Sequence, residues 1–401
     1  MCRDVTNEKY SGHSLKKAII LKQNICFGIA FIPILEYNHT YKDVIVVLAY
    51  MTASEAAEKW NISHRRVLTL CKQNRITNVA TLGNMWIIPI DAKKPEDARS
   101  LRYSNASDKA AKPFLKWAGG KGQLLYEIQK YYPFNDGKTT KYAEPFVGGG
   151  AVLFDILRKF DLEEIYISDI NKELMNCYIT VRDNIDDLID ILYSMQEEYL
   201  KLDNDNRRLY YTNVRNEFNN DITEKNKNIK KAALMIFLNK TCFNGLYRVN
   251  KKGKFNVPIG SYKNPLICDE ENLRAVSQKL QNVKIICGDY KESANFIDEK
   301  TFVYFDPPYR PIAETASFTA YTENLFNDEE QIELARFVDD MHQKGAKIVV
   351  SNSDPKNTNA DDNFFDVIYS KHTINRVEAN RMINSKGASR GKIKELLISN
   401  F

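Results

Sequence analysis

The chain has little of what marks several large classes of protein. Its seven cysteines are scattered, odd in number and include no Cys-x-x-Cys pair. That excludes a disulfide framework and a cysteine-based zinc site, and it leaves reduced thiols and a cytoplasmic setting. No metal is expected. No apolar run near the amino terminus exceeds Ile25 to Leu35, well short of the roughly 20 residues that a bilayer span needs. Lys16, Lys17 and Lys22 precede that run as they would in a secretory leader, but no small-residue cleavage pattern follows it, so neither membrane nor export is expected. Internal repeats are absent, and so is the Gly-Lys-Ser/Thr of a phosphate loop. The net charge of +5 is too small to prove a polyanionic partner by itself.

What is present is a folded composition. With 401 residues, 43% hydrophobic and 27% charged, the chain is long enough for two or three domains. Residues 1–50 are apolar and irregular, whereas clean patterning begins at Met51. A native start at Met51, with an upstream extension before it, is therefore expected; intact mass of the natively expressed protein tests this.

Residues 51–92 read as a small helical unit. Thr52-Ala53-Ser54-Glu55 carries an N-cap signal, and Ala56, Ala57 and Trp60 form an apolar face. Asn61-Ile62-Ser63 makes a turn. Ser63 then caps a second helix with Val67, Leu68 and Cys71 inward and Arg65, Arg66 and Lys72 outward. A turn and strand at Gly83–Pro89 supply a candidate wing. The segment resembles winged helix-turn-helix domains of the excisionase and MerR type; a helical hairpin for protein contacts is the alternative. Residues 93–111 are polar and unpatterned, hence a linker. Residues 112–401 read as one α/β domain with an insertion at about 176–275.

Chemistry is concentrated in that last domain. Thr301-Phe302-Val303-Tyr304-Phe305 is a buried-strand run cut off by prolines, and Asp306-Pro307-Pro308-Tyr309 follows it. Open α/β sheets bind ligands just past strand carboxyl ends. There, Asp306 and the Pro307 carbonyl can accept from a planar –NH2 while Tyr309 stacks on the ring that carries it. Lys141–Gly150 is a second strand that runs into a glycine loop, Phe146-Val147-Gly148-Gly149-Gly150, and then into helical pattern. The glycines allow close backbone approach, and the missing phosphate loop argues for a ligand without phosphates. Two more strands end in acids, Glu164–Asp169 and Val283–Asp289. Asp169 stands where a carboxylate can grip ribose hydroxyls. Each Asp alone reads as a cap or turn former; the repetition beside a glycine loop points to a site. Lys116-Trp117-Ala118-Gly119-Gly120-Lys121 adds an indole and an ammonium from a tight turn.

The order of KWAGGK, EPFVGGGAVLF, ISDIN, GDY and DPPY resembles the Dam-type, D12-class DNA adenine-N6 methyltransferases, alpha group, over all of 112–401. The resemblance implies a Rossmann-like fold with a helical target-recognition insertion (242–265 looks like the family's DNA-binding segment). It also implies S-adenosyl-L-methionine as methyl donor, held by Trp117, Lys121, Asp169 and Asp306 with Phe146, Gly148 and Gly150 beneath its methionine end. Asp289 matches an acidic position near the donor's adenine. SFTAYTENLF (317–326), VVSNS (349–353) and RMINSKGASRGKIKELLISN (381–400) match the family's style, and the first is expected to close over the base.

Residues 201–265 hold 14 Lys/Arg against 5 Asp/Glu, so the positive charge concentrates in the insertion. Interleaved are Tyr210, Tyr211, Phe243, Tyr247, Asn239, Asn244 and Asn250. Basic side chains neutralise phosphates, and Arg or Asn can pair with guanine or adenine edges. Arg248 is the expected base contact, with Asn244, Tyr247 and Lys251 beside it and Arg65 and Arg66 contributing from the amino-terminal unit. The target adenine must leave the helix stack. Transfer is then direct and in line, without cysteine or metal; no Pro-Cys nucleophile of a cytosine-C5 enzyme occurs. Duplex DNA is the expected substrate, and GATC the expected target on the insertion's likeness to GATC-recognising members. A separately acting restriction endonuclease, a monomeric state and a bacterial or phage-encoded, nucleoid-associated protein complete the reading. The competing readings are an amino-methyltransferase acting on RNA or a protein amide, and a DNA-binding regulator with an inactive transferase domain.

Overall fold

The computed structural model describes residues 50–95 except 61, 63, 73 and 84, then 111–220 except 118, 227–310, 326–380 and 392–401. Residues 1–49, most of the 93–111 linker, the expected closing loop at 317–325 and residues 381–391 lie outside these. The chain divides into two compact units, residues 1–102 and 103–401.

In the first unit, β1 (Tyr50–Thr52) leads directly into α1 (Ala53–Trp60), and α2 (His64–Lys72) follows. Thr52 and Glu55 cap α1 reciprocally: Glu55 N donates to Thr52 Oγ1 (3.2 Å) and Thr52 N to Glu55 Oε2 (2.7 Å). β2 (Ala80–Leu82) and β3 (Met85–Pro89) form a hairpin around Gly83, whose φ is +62°. β1 pairs with the far side of β3, so the boundary read at residue 51 falls inside a strand. Ala56, Ala57, Trp60, Val67, Leu70, Cys71 and Ile88 make the core. Arg66 was expected on the outer face of α2 but is only 7% exposed. It lies one turn before Leu70, so the same helical stripe carries both inward. Lys72 is exposed; the side chain of Arg65 lies outside the described residues.

In the second unit, seven described strands form one sheet. They are β4 (Lys141–Glu144), β5 (Glu164–Asp169), β6 (Val283–Cys287), β7 (Thr301–Phe305), β8 (Lys347–Ser353), β9 (Thr373–Asn380) and β10 (Lys392–Ser399), in the order β6-β5-β4-β7-β8-β10-β9. The pairs β6-β5, β5-β4, β4-β7 and β7-β8 are parallel, while β10 runs antiparallel to both β8 and β9. From β4 the chain moves outward to β5 and β6, then returns to the other side of β4 as β7. Strand order therefore reverses between β4 and β7, and the sheet opens a crevice at their carboxyl ends.

β7 is buried along its whole length, as befits a parallel strand covered on both faces. Phe302 and Tyr304 face one core with Tyr142; Val303 and Phe305 face the other with Ala143. A long helix, Asp328–Gln343, covers the second face through Leu334, Ala335, Val338 and Met341. Asn327 and Glu330 cap it as a box. Between β5 and β6 the chain is largely helical: Lys172–Asp183, Ile185–Leu200, Asn204–Phe218, Lys227–Thr241 and Glu270–Leu280. Two asparagines tie the entry segment to these helices. Asn272 exchanges hydrogen bonds with the backbone of Lys112 (2.9 and 3.0 Å), and buried Asn239 does the same with Lys116 (2.8 Å each).

Candidate active site

The crevice between β4 and β7 gathers most of the residues read from the sequence. Asp306 follows β7 directly. Its Oδ1 lies 2.6 Å from the Lys121 ammonium and accepts from Ser351 Oγ (2.8 Å) on neighbouring β8. Among the described residues no hydrogen bond reaches Oδ2 or the Pro307 carbonyl. Burial pushes the Asp306 carboxyl up, and Lys121 and Ser351 pull it back. Lys121 is 6% exposed. It also donates to the Gly119 carbonyl (2.7 Å) and stands 4.5 Å from the centre of the Tyr309 ring.

The tetrapeptide is braced from behind. Tyr309 donates to Glu395 Oε2 (2.6 Å) on β10. Buried Gln331 donates to the Pro308 carbonyl (3.0 Å) and accepts from Asn352 Nδ2 (3.1 Å). Arg310, the next residue after Tyr309, pairs with Asp328 and Asp362 at 2.7 Å each. The carboxylate and the ring are thus fixed by packing before any ligand arrives, which is the arrangement that catalysis by orientation requires.

The glycine loop forms the other wall. Gly148 and Gly150 have φ of +48° and +72°. A Cβ on Gly148 would sit 2.9 Å from Trp117 Cδ1, and one on Gly150 would sit 2.6 Å from the Tyr178 hydroxyl. Both positions need glycine for conformation and for space. Half-buried Phe146 stacks on Tyr290 at 5.4 Å. Buried Glu144, at the end of β4, accepts from Tyr142 (2.8 Å), and desolvation pushes it up to about 8.

Asp169 ends β5. Its carboxylate accepts from Gly148 N (3.2 Å) and Asn171 N (2.9 Å), and burial raises it to about 6. Beside it Ile170 is 58% exposed, an apolar ledge at a polar strand end. Asp289 is exposed and caps the following 3-10 turn, accepting from Lys291 N (2.9 Å). It lies at the same edge, but its carboxylate is engaged with its own backbone.

The insertion presents a hairpin. Val249 bridges Phe255, and the Asn250 side chain accepts from Lys252 N and Lys254 N to close the turn. Arg248 is exposed, with Nε donating to Asn256 Oδ1 (2.8 Å); Asn244 and Lys251 are exposed beside it. Tyr247 does not join them. It is 7% exposed, stacked on Trp117 at 5.4 Å and 22° and packed on Phe255 at 5.8 Å. The cause is alternation: next to an outward Arg248, residue 247 turns inward. Of the interleaved residues, Asn239 clamps Lys116, and Tyr211 is 2% exposed and donates to the Val257 carbonyl (2.8 Å). Phe243 stays 52% exposed.

Residues 117–383 match the family of D12 class N6 adenine-specific DNA methyltransferases. The chain belongs to that family. It is 52% identical over 297 residues to type II methyltransferase M.MjaIII of Methanocaldococcus jannaschii, covering 72% of this chain and 99% of that protein. It is 37% identical over 292 residues to type II methyltransferase M1.LlaDCHI of Lactococcus lactis subsp. cremoris (72% and 95%), and 34% identical over 289 residues to the DNA adenine methylase of Escherichia coli K12 (72% and 95%). The protein is therefore an adenine-specific DNA methyltransferase, and DNA is its substrate class. No helix among the described residues is long and apolar enough to cross a membrane.

For this methyltransferase, the reading of motifs located the acidic strand ends but missed the braces. Glu144 lies inside EPFVGGG, Ser351 and Asn352 inside VVSNS, and Glu395 inside KELLIS. Gln331 carries no sequence signal beyond its place on an amphipathic helix.

Proposed function

We propose that this methyltransferase moves a methyl group from S-adenosyl-L-methionine to N6 of an adenine extruded from duplex DNA. Asp306-Pro307-Pro308-Tyr309 is the catalytic element in this reading. The observation that carries it is a pair of acceptors, Asp306 Oδ2 and the Pro307 carbonyl, that take no hydrogen bond among the described residues and follow β7 where strand order reverses. The residues present fit the donor. Gly148 and Gly149 bring the loop backbone directly against Trp117, exposed Ile170 is an apolar ledge next to Asp169, and the sequence has no phosphate loop. Trp117, Lys121, Phe146, Gly148, Gly150, Asp169 and Asp306 would hold it, with Asp289 at the edge. When bound, it supplies a methyl group on a sulfonium.

The protein's own part is orientation. An aryl amine is a poor nucleophile because its lone pair is delocalised into the ring. Hydrogen bonds from N6 to Asp306 and to the Pro307 carbonyl favour a pyramidal amine and aim the lone pair. Tyr309, held by Glu395, stacks on the extruded base.

The Asp169 value gives a pH prediction. Its ionised form accepts from ribose hydroxyls, and protonation removes half of that capacity. Donor affinity should therefore hold above about pH 6 and fall as pH drops through it. Calorimetric titration between about pH 5 and 8 checks this; equal affinity across the range would remove Asp169 from the donor site.

Target choice rests on the hairpin. Arg248, steered by Asn256, reads a base edge, with Asn244 and Lys251 nearby and GATC as the target. Replacing Arg248 with Ala should cost about 1–3 kcal/mol of specific binding and relax the preference at one base pair. A loss uniform across sequences would make it a phosphate contact. Long-read methylation mapping of DNA from cells expressing the chain tests GATC directly, and methyl transfer to duplex DNA compared with RNA tests the substrate.

The amino-terminal unit, residues 51–92, is a winged helix-turn-helix in this reading. It contacts flanking DNA through the Arg65 and Lys72 face of α2, and residues 93–111 link it to a methyltransferase domain at 112–401 that carries its recognition insertion at 176–275. A monomeric, bacterial or phage-encoded, nucleoid-associated protein completes this reading, and the type II methyltransferases among its relatives support a cognate restriction endonuclease acting separately.

A further inference from the structure

The acceptor carboxylate is presented by two hydroxyl groups that the DPPY motif does not include. Tyr304 stands two residues before Asp306 on β7, and Ser351 stands two residues after Val349 on β8. Tyr304 and Val349 are partners in the parallel register, so Ser351 arrives beside Asp306. The Tyr304 hydroxyl donates to Ser351 Oγ (2.9 Å), and Ser351 donates to Asp306 Oδ1 (2.8 Å). The competing acceptor, the Phe305 carbonyl, is farther from Ser351 at 3.4 Å.

Tyr304 and Ser351 are both 0% exposed. A hydroxyl has one proton to give. With Tyr304 supplying the bond that Ser351 accepts, the Ser351 proton goes to the nearer, charged acceptor. Burial and the Asp306 charge hold the Tyr304 phenol far above its ordinary range, so it remains a donor.

We propose that Ser351, set in place by Tyr304, is a positioning residue for methyl transfer. It anchors Oδ1 of Asp306 so that Oδ2 faces the incoming amine. The inference rests on Asp306 being the amine's acceptor. Without Ser351, the Lys121 ammonium is the partner left on Oδ1. A compact ammonium on a flexible stem fixes a carboxylate's rotation poorly. Ser351 also donates to the ionised form and so opposes the upward push of burial. The titratable groups facing Asp306 are Lys121 before β4, Glu144 at the end of β4, Tyr304 on its own strand, Tyr309 in its own loop and Glu395 on β10. A substitution at Ser351 leaves all of them in place.

The test is single-turnover methylation of duplex DNA by the full chain, followed across about pH 5.5–8.5. Ser351→Ala should slow transfer about 10- to 100-fold while leaving donor and DNA affinity within about 3-fold. Its acidic limb should move to higher pH. Ser351→Thr keeps the hydroxyl and should recover most of the rate. Tyr304→Phe should show a smaller loss in the same direction, and the double variant should be no slower than Ser351→Ala. An unchanged rate, or a slowing equal at every pH, overturns the inference. Should Ser351→Ala not fold, Tyr304→Phe decides, and a wild-type rate and pH profile there overturn it. If Asp306→Ala stays active, the underlying reading fails; if Asp306 is essential and Ser351 silent, this inference alone fails.

Discussion

Replacing Asp306 with Ala should reduce methyl transfer by about 1,000-fold or more while the protein still binds DNA. In the proposed mechanism the carboxylate supplies a charge-assisted acceptor that matters most as N6 becomes pyramidal, so its loss falls mainly on the chemical step and to a lesser degree on the donor affinity to which Asp306 also contributes. The fold should bear the change. Asp306 is itself strained by burial, and its removal releases that cost even as it leaves Lys121 short of a partner. The Lys121 ammonium keeps the Gly119 carbonyl at 2.7 Å and has Glu395 and Glu144 in its electrostatic surroundings. Single-turnover rates together with a melting curve separate the two effects. A folded variant with normal rate would remove Asp306 from the mechanism. Asp306→Asn is the sharper companion. Its size is nearly kept, but one acceptor oxygen becomes a donor facing the amine hydrogens, so it should be as inactive as Ala.

The second large effect is expected at Gly148. Alanine there must adopt a φ of +48°, which costs a side chain about 1–2 kcal/mol. Its methyl would also press on Trp117 at 2.9 Å. Trp117 has little room to retreat, because the Tyr247 ring is stacked on it. The Gly148 backbone is pinned as well, its N donating to Asp169 and its carbonyl accepting from Tyr178 (3.1 Å). The strain should therefore spread into the donor site: affinity for S-adenosyl-L-methionine should fall at least about 10-fold, and the melting temperature by a few degrees. Binding calorimetry reads the first. Wild-type affinity in Gly148→Ala would mean that the donor lies elsewhere.

These expectations draw on parts of the molecule that differed in how plainly the sequence expressed them. β7 was legible because a fully buried parallel strand is an unbroken apolar run, and two prolines mark its end. The strand-end carboxylates were legible because glycine, acid and helix follow one another along the chain. Direction was harder to read. Residues 247 and 248 are neighbours in one basic stretch, yet Tyr247 packs on Trp117 while Arg248 faces solvent, since composition records charge and alternation decides orientation. Arg66 is the helical version of the same problem: its place one turn from Leu70 outweighed its charge. The braces behind the motif were hidden for a different reason. Ser351, Gln331 and Glu395 reach it across strands and a helix that the chain forms later. β10 enters between β8 and β9, an order that no local pattern contains.

The Trp117–Tyr247 stack has one further consequence. Tyr247 is the residue next to Arg248 on the hairpin, and Trp117 packs directly on Gly148 and Gly149; in the proposed function, one aromatic contact therefore belongs to both the nucleic-acid face and the donor face. Asn239 binds the same two segments through the Lys116 backbone and the Gly245 carbonyl (2.9 Å). Should DNA and the donor bind at these two faces as proposed, their occupancies are coupled through this contact. Whatever factor DNA applies to the affinity for the methyl donor, the donor must apply to the affinity for DNA. The order in which the two ligands arrive becomes a kinetic preference of the enzyme, while the energy of the ternary complex is the same by either route.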